Sequence, residues 1–247
     1  MKIADGLNML EVPMNFLNTK GIINPTLIWD DETVILIDAG LPGQQQIFKD
    51  EITNAGVSFD KLNVIIITHQ DMDHIGGLSG IQNELGEKVT VLAHTEEKPY
   101  IEFKKRPIKM TDEALSRIEA FMAAESGGNV KPLKETLPSL RSRVDDTLED
   151  GQELPYCGGI KVIHTPGHTP GHICLYLKKH KTLVAGDLLN LVNGILYGPN
   201  PQHTQDIHMA HDSLKKLASY DIQKVICYHG GIYSDDVNTK IDELANA

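Results

Sequence analysis

The sequence predicts an α/β fold in which two β-sheets pack together and helices cover their outer faces. Short β-branched apolar runs, bounded by Gly, Pro, Asn or Asp, are typical of buried strands, and segments with helical periodicity lie between them. The strands begin as a hairpin, then alternate with helices and then form a second hairpin, which differs from one uninterrupted βαβ series. A length of 247 residues accommodates one large domain, and we expect residues 1–247 to form a single domain.

Apolar runs define the predicted strands. In chain order, these are Pro25–Trp29, Thr33–Ile37, Asn63–Thr68, Lys88–Ala93, Ile160–His164, Ile173–Leu177, Thr182–Ala185 and Lys224–Tyr228. Asp30 and Asp31 form the expected tight turn of the first hairpin. Helical spacing and capping residues predict helices at Gln44–Asn54, Ile75–Leu85, Thr111–Ala124, from near Gln205 to Ala218, and Asp235–Leu244.

Residues 97–146 are expected to form a mostly helical insertion, because no clear strand falls within them. Much of the positive charge of the chain is concentrated there, on Lys98, Lys104, Lys105, Arg106, Lys109, Lys131, Lys134, Arg141 and Arg143. Two interpretations remain open: a solvated helical face, or a cap that steers anionic substrates toward a cleft.

Charge and composition exclude several classes of protein. With 23 Lys and Arg against 34 Asp and Glu, the formal net charge is −11, so we expect no nucleic-acid partner. No run approaches the ~18 apolar residues of a membrane span, so we expect no membrane partner either. The 3 Cys residues are far apart and imply no disulfide framework, and the first residues lack the apolar stretch of a signal peptide. A cytoplasmic location is therefore predicted.

Side chains of the types that bind metals follow several of the predicted strands. The strand Asn63–Thr68 leads directly into His69, Asp71, Asp73 and His74, and Asp is almost never buried without a partner. His168, Asp187 and His229 follow or close three later strands. Because loops at the ends of strands converge at one edge of a layered α/β fold, we expect these residues to share a functional site.

This pattern resembles the signature of the metallo-β-lactamase fold superfamily. That signature is His-x-His-x-Asp-His, then a His in a Pro-Gly-His context, a bridging Asp and a final His. The resemblance extends from Leu36-Ile37-Asp38-Ala39-Gly40 to the last strand. It implies a four-layer αββα sandwich of two mixed sheets, and it implies two divalent metal ions, which are zinc in most of the family. The first ion would bind His69, Asp71 and His168, the second would bind Asp73, His74 and His229, and Asp187 would bridge them.

One position departs from the family pattern, because Asp71 stands where the family usually has His. Three carboxylates around two divalent ions leave a net charge of +1, whereas the usual two carboxylates leave +2. A less positive cluster acidifies bound water less and favours harder ions, so iron or manganese is an alternative to the zinc that the family resemblance implies. The flavodiiron proteins are similar in having a carboxylate at this position. The alternative is that the first site has lost its ion.

Several other polar residues lie near the motif or close predicted strands. Asp38 either caps its own turn or lies below the metal site and orients a ligand. We expect His172 to support the site rather than bind metal, His164 and His94 to lie in the core or at a sheet edge, and His208 and His211 to lie on a solvated helix face. His203 either lines the pocket or lies in an exposed loop.

These residues predict a metal-dependent hydrolase for a small molecule, and the substrate would be anionic if the basic insertion acts as a steering cap. A hydroxide held between the ions would attack an ester, lactone, thioester or phosphoester. Asp73 is the predicted catalytic residue, which would help to hold the hydroxide and pass a proton to the leaving group. Two alternatives use the same ligands: a non-hydrolytic iron-dependent oxidoreductase and a degenerate metal-binding protein. The oligomeric state is not predicted.

Overall fold

The computed structural model describes residues 1–16, 19–126 and 132–246. Its strands are β1 (Lys2–Ala4), β2 (Leu7–Met9), β3 (Val12–Phe16), β4 (Thr19–Ile23), β5 (Thr26–Trp29), β6 (Val34–Ile37), β7 (Val64–Ile67), β8 (Thr90–His94), β9 (Asp146–Leu148), β10 (Glu153–Leu154), β11 (Ile160–His164), β12 (Ile173–Leu177), β13 (Thr182–Val184), β14 (Asn190–Val192), β15 (Ile195–Tyr197), β16 (Lys224–Cys227) and β17 (Gly231–Tyr233). The α-helices are α1 (Gln45–Asn54), α2 (Met72–Ile75), α3 (Leu78–Leu85), α4 (Lys98–Ile101), α5 (Asp112–Ser126), α6 (Leu133–Thr136), α7 (Ile207–Lys215) and α8 (Val237–Ala245).

Two mixed sheets carry the fold. The first has the order β1-β2-β5-β6-β7-β8-β9, and its pairs from β6 to β9 are parallel. The second has the order β10-β11-β12-β13-β16-β17, in which only β13 and β16 pair in parallel within the described chain. Two small hairpins, β3–β4 and β14–β15, lie outside these sheets.

Alternation along the strands builds the four layers. In β6, Ile35 and Ile37 belong to a buried cluster that also contains Val162 and Ile226 of the second sheet. Their neighbour Leu36 belongs to a different cluster, together with side chains of α1 and α3. On the second sheet, α7 and α8 pack on the outer face in a third cluster. Because successive strand residues face opposite sides, each sheet is covered on one face by the other sheet and on the other face by helices. This confirms the predicted αββα sandwich.

All the predicted strands are present, with ends that differ by at most two residues. The helix predicted at Ile75–Leu85 is instead divided into α2 and α3 at Gly76 and Gly77. A Cβ atom on Gly77 would lie 2.2 Å from the carbonyl oxygen of Ala39, so the chain requires glycine where this turn passes the end of β6. The close approach places the loop after β7 directly against the loop after β6.

Several short elements were not predicted from the sequence. These are β1 to β4, β9, β10, the hairpin β14–β15, and β17. Most are two or three residues long, and the runs that form them lack a sustained apolar alternation. The hairpin β3–β4 matters for the site, because Met14 and Asn15 on β3 line the cavities described below.

The described parts of residues 97–146 contain α4, α5 and α6, and β9 begins at the end of this range. Lys131, which the sequence placed in the basic insertion, lies outside the described residues. Several of the other basic side chains pair with acidic ones, as in Arg106 with Asp112 at 2.6 Å and Arg143 with Glu87 at 2.8 Å. In the described part of the chain, no helix combines the length and the apolar character needed to cross a membrane.

Candidate metal centre

The seven predicted ligands come together at one edge of the sandwich. His69 and Asp71 follow β7, Asp73 and His74 lie on α2, and the remaining ligands, His168, Asp187 and His229, follow β11, β13 and β16. Two groups form there, which we call the first and second ligand groups. The first contains His69, Asp71, His168 and Asp187, and the second contains Asp73, His74 and His229.

Short distances join the donor atoms within each group. In the first group, the Asp71 Oδ2 atom lies 3.2 Å from His69 Nε2 and 3.0 Å from His168 Nε2. In the second group, His229 Nε2 lies 3.2 Å from Asp73 Oδ2. Donors at these separations converge on a common point, as ligands of one ion do.

Asp187 contacts both groups through different oxygens. Its Oδ2 atom lies 3.4 Å from His168 Nε2, and its Oδ1 atom lies 3.2 Å from His74 Nε2 and 3.5 Å from His229 Nε2. A carboxylate with one oxygen directed toward each group has the geometry of a bridging ligand. The structure thus places Asp187 where the resemblance puts the bridge.

The donor set fits metal ions. The buried atoms His69 Nε2, His74 Nε2 and Asp187 Oδ1 have no hydrogen-bond partner among the described residues. Buried polar atoms are normally paired, so unpaired nitrogen and oxygen atoms in both ligand groups indicate missing partners. Imidazole and carboxylate donors suit zinc, iron and manganese.

Asp38 holds one of these ligands in place. Its carboxylate accepts hydrogen bonds from the backbone N–H of Thr68 at 2.8 Å and from the Thr68 hydroxyl, and it lies 2.9 Å from His74 Nδ1. The Nδ1–H of His74 donates to this carboxylate, which leaves Nε2 facing the second ligand group. Asp38 contacts a loop thirty residues away rather than its own turn, so the turn-capping alternative is not observed.

His172 is satisfied by two other partners. Its Nε2 atom accepts a hydrogen bond from the Asp187 backbone N–H at 3.0 Å, and its Nδ1 atom lies 2.8 Å from the Thr165 hydroxyl. Both ring nitrogens are therefore used, and His172 holds the backbone of Asp187 in place. His164 and His94 stack on each other at 4.0 Å, outside both ligand groups.

Glu97 joins two of the loops that carry the first ligand group, those after β7 and β11, and sequence analysis missed it. Its buried carboxylate accepts hydrogen bonds from Gln70 N–H at 2.8 Å on one loop, and from Gly171 N–H at 2.7 Å and the Thr169 hydroxyl at 2.8 Å on the other. Burial raises the pKa of Glu97, against these hydrogen bonds. No local pattern around Glu97 indicates that it is buried.

Tyr228 supports the second ligand group and was also missed. Its ring stacks on His74 with 3.8 Å between centroids, and its hydroxyl donates a hydrogen bond of 2.5 Å to the backbone oxygen of Asp73. The available signal was its position immediately before the ligand His229, but an aromatic residue at the end of a strand is more often part of the core.

Lys109, from the insertion, reaches into the first ligand group. Its ammonium contacts Asp71 Oδ2 and lies 2.9 Å from His168 Nε2. The side chain is one third exposed, whereas that of Asp71 is 10% exposed. The two interpretations of the basic insertion thus apply to different residues. Arg106 and Arg143 lie on a solvated face, whereas the charge of Lys109 is directed at the site.

The pKa values of the residues in the two ligand groups depend on their burial and on the carboxylates and imidazoles beside them. Burial lowers the pKa of His69 to about 4. Burial opposes ionisation of Asp71, but His69, His168 and Lys109 outweigh it and hold its pKa well below the usual value. Burial also favours neutral His229, yet Asp187 and Asp73 raise its pKa to about 10.

A pocket of about 690 Å³ opens over the cluster. Asp71, Asp73, His168, Asp187 and His229 lie in its floor, and Lys109, Arg117, His203, Asn190 and Asn200 are among its polar walls. His203 thus lines the pocket, whereas His208 is exposed on α7. The pocket therefore combines candidate metal ligands with basic and amide groups.

Comparisons with known proteins agree with this geometry. The profile of the metallo-beta-lactamase superfamily matches residues 18–229, which include every predicted ligand. The probable metallo-hydrolase YflN of Bacillus subtilis (strain 168) is 30% identical over 233 residues, covering 88% of this chain and 83% of the relative. Hydroxyacylglutathione hydrolase GloC of Haemophilus influenzae is 27% identical and covers 67% of this chain and 66% of the relative. The crystal structure of the metallo-beta-lactamase family protein TTHA1429 from Thermus thermophilus superposes with a TM-score of 0.69 at 26% identity, covering 99% of this chain and 80% of that one.

Proposed function

Because this chain belongs to the metallo-β-lactamase superfamily, we propose that it is a dinuclear metallohydrolase that cleaves an ester, lactone, thioester or phosphoester of a small molecule. Family membership and the buried His/Asp cluster support a metal-dependent hydrolase. The observation that carries the dinuclear form is Asp187, whose two carboxylate oxygens face different ligand groups. His69, Asp71 and His168 would hold one ion, and Asp73, His74 and His229 the other.

Divalent ions at such a centre supply a strong nucleophile at neutral pH and stabilise the negative charge that develops on the substrate. The residues of the chain position this chemistry. Asp73 is the catalytic residue in our proposal, because its carboxylate lines the pocket while its backbone is held by the Tyr228 hydroxyl. Its side chain is 23% exposed, so it can pass a proton to a leaving group in the pocket.

Lys109 changes the net charge expected for the metal centre from Asp71 alone. Asp71 adds one negative charge relative to the usual family set, and the Lys109 ammonium against its carboxylate adds one positive charge. The two cancel, so the electrostatic reason to prefer iron or manganese is removed, and we favour zinc. An ion that binds Asp71 Oδ2 competes with Lys109 for the same oxygen.

The substrate class follows from the walls of the pocket. Lys109 and Arg117 both line it, which favours a substrate that carries a negative charge. No nucleic-acid or membrane partner is part of the proposal. Cytoplasmic location and a single-domain chain stay predictions from the sequence.

The test combines metal analysis with turnover. Purified protein is loaded with zinc, and hydrolysis of p-nitrophenyl esters, lactones, acyl thioesters and bis(p-nitrophenyl) phosphate is measured for the wild type, Asp187→Asn and Asp221→Asn. Asp221 is an exposed partner of Lys181 and provides a matched loss of one carboxylate. We expect turnover of at least one substrate class in the wild type and Asp221→Asn, and its loss in Asp187→Asn.

Other outcomes identify the alternatives. Bound iron with visible absorbance and no hydrolysis would support the iron-dependent oxidoreductase instead. Less than one ion per chain after metal loading would support a degenerate protein. Either result overturns the proposal.

A further inference from the structure

A second cavity of about 520 Å³ adjoins the pocket over the ligand groups. Leu41, Met72, Met110 and Ile118 line both spaces, so the two adjoin at these side chains. The other walls of the second cavity come from α1, α5, α6 and the segment that follows α6, and include Ile47, Met122, Leu133, Leu137 and Leu140. We call this space the tail cavity.

We propose that the tail cavity binds the unbranched alkyl chain of an acyl substrate, which makes the protein a hydrolase of medium-chain acyl esters or thioesters. This inference rests on the proposed hydrolytic function and names the acyl part of its substrate. The tail cavity is concave and mostly apolar, and it lies beside the candidate reactive centre, as a specificity site for an aliphatic group must.

Three of the polar side chains that line the tail cavity, those of Gln44, Thr136 and Ser139, are paired within the protein, and the fourth, Asn15, is exposed. Gln44 accepts a hydrogen bond from Leu41 N–H at 2.8 Å and donates one to the Pro13 oxygen at 2.5 Å. The hydroxyls of Thr136 and Ser139 donate to backbone oxygens at 3.2 and 2.6 Å. No charged side chain is among the described residues that line the cavity. Polar groups of a ligand would find few free partners in this mostly apolar space, whereas an alkyl chain requires none.

Met72 connects the tail cavity to the chemistry. It lies between the ligands Asp71 and Asp73 in the chain, and its side chain lines both cavities. An alkyl chain that passes Met72 therefore has its carbonyl end beside these two carboxylates. Met110 lines the boundary as well, and unbranched thioether side chains adjust readily to a chain that passes them.

The basic residues near the site lie around the pocket over the ligand groups rather than around the tail cavity. Lys109, Arg117 and His203 line the pocket over the ligand groups but not the tail cavity. An amphipathic substrate would therefore place its apolar tail in the tail cavity and its polar or anionic remainder in the pocket over the ligand groups. Its scissile bond would lie where the two spaces adjoin.

The test uses saturated carboxylates as probes, because they carry the acyl tail and their binding requires no bond cleavage. Dissociation constants of butanoate, hexanoate, octanoate and decanoate are measured by calorimetry on the zinc-loaded protein. Burial of one methylene strengthens binding by about fourfold, so we expect a gain of about 16-fold for each two-carbon step until the tail cavity is filled.

Met122→Trp and Ala120→Trp provide a matched pair on α5. Met122 lines the tail cavity but not the pocket over the ligand groups, and Ala120 is exposed and lines neither space. We expect Met122→Trp to flatten the chain-length dependence and Ala120→Trp to retain it. If Met122→Trp does not fold, Ile47→Trp fills the cavity from α1 instead.

Dissociation constants that do not change with chain length would overturn the inference, as would parallel dependences in all the variants. Loss of hydrolysis with a retained chain-length dependence would instead contradict only the proposed reaction. Hydrolysis of short esters without any chain-length dependence would contradict only the tail cavity.

Discussion

The ammonium group of Lys109 lies against the Asp71 carboxylate and 2.9 Å from His168 Nε2, within the first ligand group. Both partner atoms are among the donors that an ion would use there. A positive side chain in this position offsets the charge of the Asp71 carboxylate, and it would compete with an ion for the same oxygen.

Lys109→Met is therefore expected to bind the first ion more tightly than the wild type. Removal of the competing cation leaves Asp71 Oδ2 free for the metal, and a gain of ~1.4 kcal/mol corresponds to about a tenfold lower Kd. Competition with a chromophoric zinc chelator measures this Kd. Lys105→Met removes the same charge from an exposed position in the same loop and should leave the Kd unchanged. Equal affinities for Lys109→Met and the wild type would show that Lys109 does not compete.

Asp38→Asn tests the support of His74. Asp38 has a φ of 65°, which Asn also tolerates, so the substitution removes the charge with little strain. Loss of a carboxylate that orients a ligand weakens metal binding by about 10- to 100-fold. Asp236→Asn is the control, because Asp236 also has a positive φ, of 42°, and is exposed at the start of α8. Metal affinity that is the same in both variants would contradict a positioning role for Asp38.

Glu97→Gln tests the connection between the two ligand loops. One carboxylate oxygen becomes an NH₂ group that cannot accept a hydrogen bond, so a buried backbone N–H loses its partner. We expect the free energy of unfolding to fall by about 1–3 kcal/mol, measured by urea denaturation. Glu96→Gln, at the exposed neighbouring position, should have no such effect. A stability equal to that of the wild type would mean that Glu97 does not tie the loops together.

The stability of the metal-free protein should fall at alkaline pH because of His229. Its pKa is raised from 6.5 to about 10, since Asp187 and Asp73 outweigh the effect of burial. A raised pKa contributes stability that is complete below pH 6.5 and is lost as the pH rises through about 10. Thermal unfolding in EDTA should give a Tm that declines over this range in the wild type and less steeply in His229→Asn. Parallel curves for the two proteins would refute the assignment.

Local pattern explains which parts of the fold were predictable from the sequence. The strand Val64–Ile67 is a run of four buried apolar residues, and the ligands follow it directly in the chain. Similar strand ends precede His168, Asp187 and His229, so the ligand set was visible as residue types at strand ends. The break at Gly77 was not predicted, because it depends on contact with the carbonyl of Ala39, which is distant in the chain.

Glu97 and Lys109 were not predictable either, because their positions also depend on contacts with residues that are distant in the chain. Glu97 is fully buried only because Gln70 and Gly171 meet around it, and those residues lie 27 and 74 positions away. Lys109 appeared as one basic residue among many in the insertion, and its contact with Asp71 spans 38 positions. Sequence patterns indicate which side chains are candidate metal ligands, whereas the groups that position them and balance their charge depend on tertiary contacts.

The most direct test of the dinuclear centre is the zinc content of the protein by elemental analysis, for the wild type, His168→Ala, His229→Ala and His211→Ala. His168 and His229 belong to different ligand groups, and His211 on α7 belongs to neither. We expect close to two ions per chain in the wild type and in His211→Ala, and close to one in each of the other variants. A single ion per chain in the wild type, or an undiminished content in both His168→Ala and His229→Ala, would contradict the account.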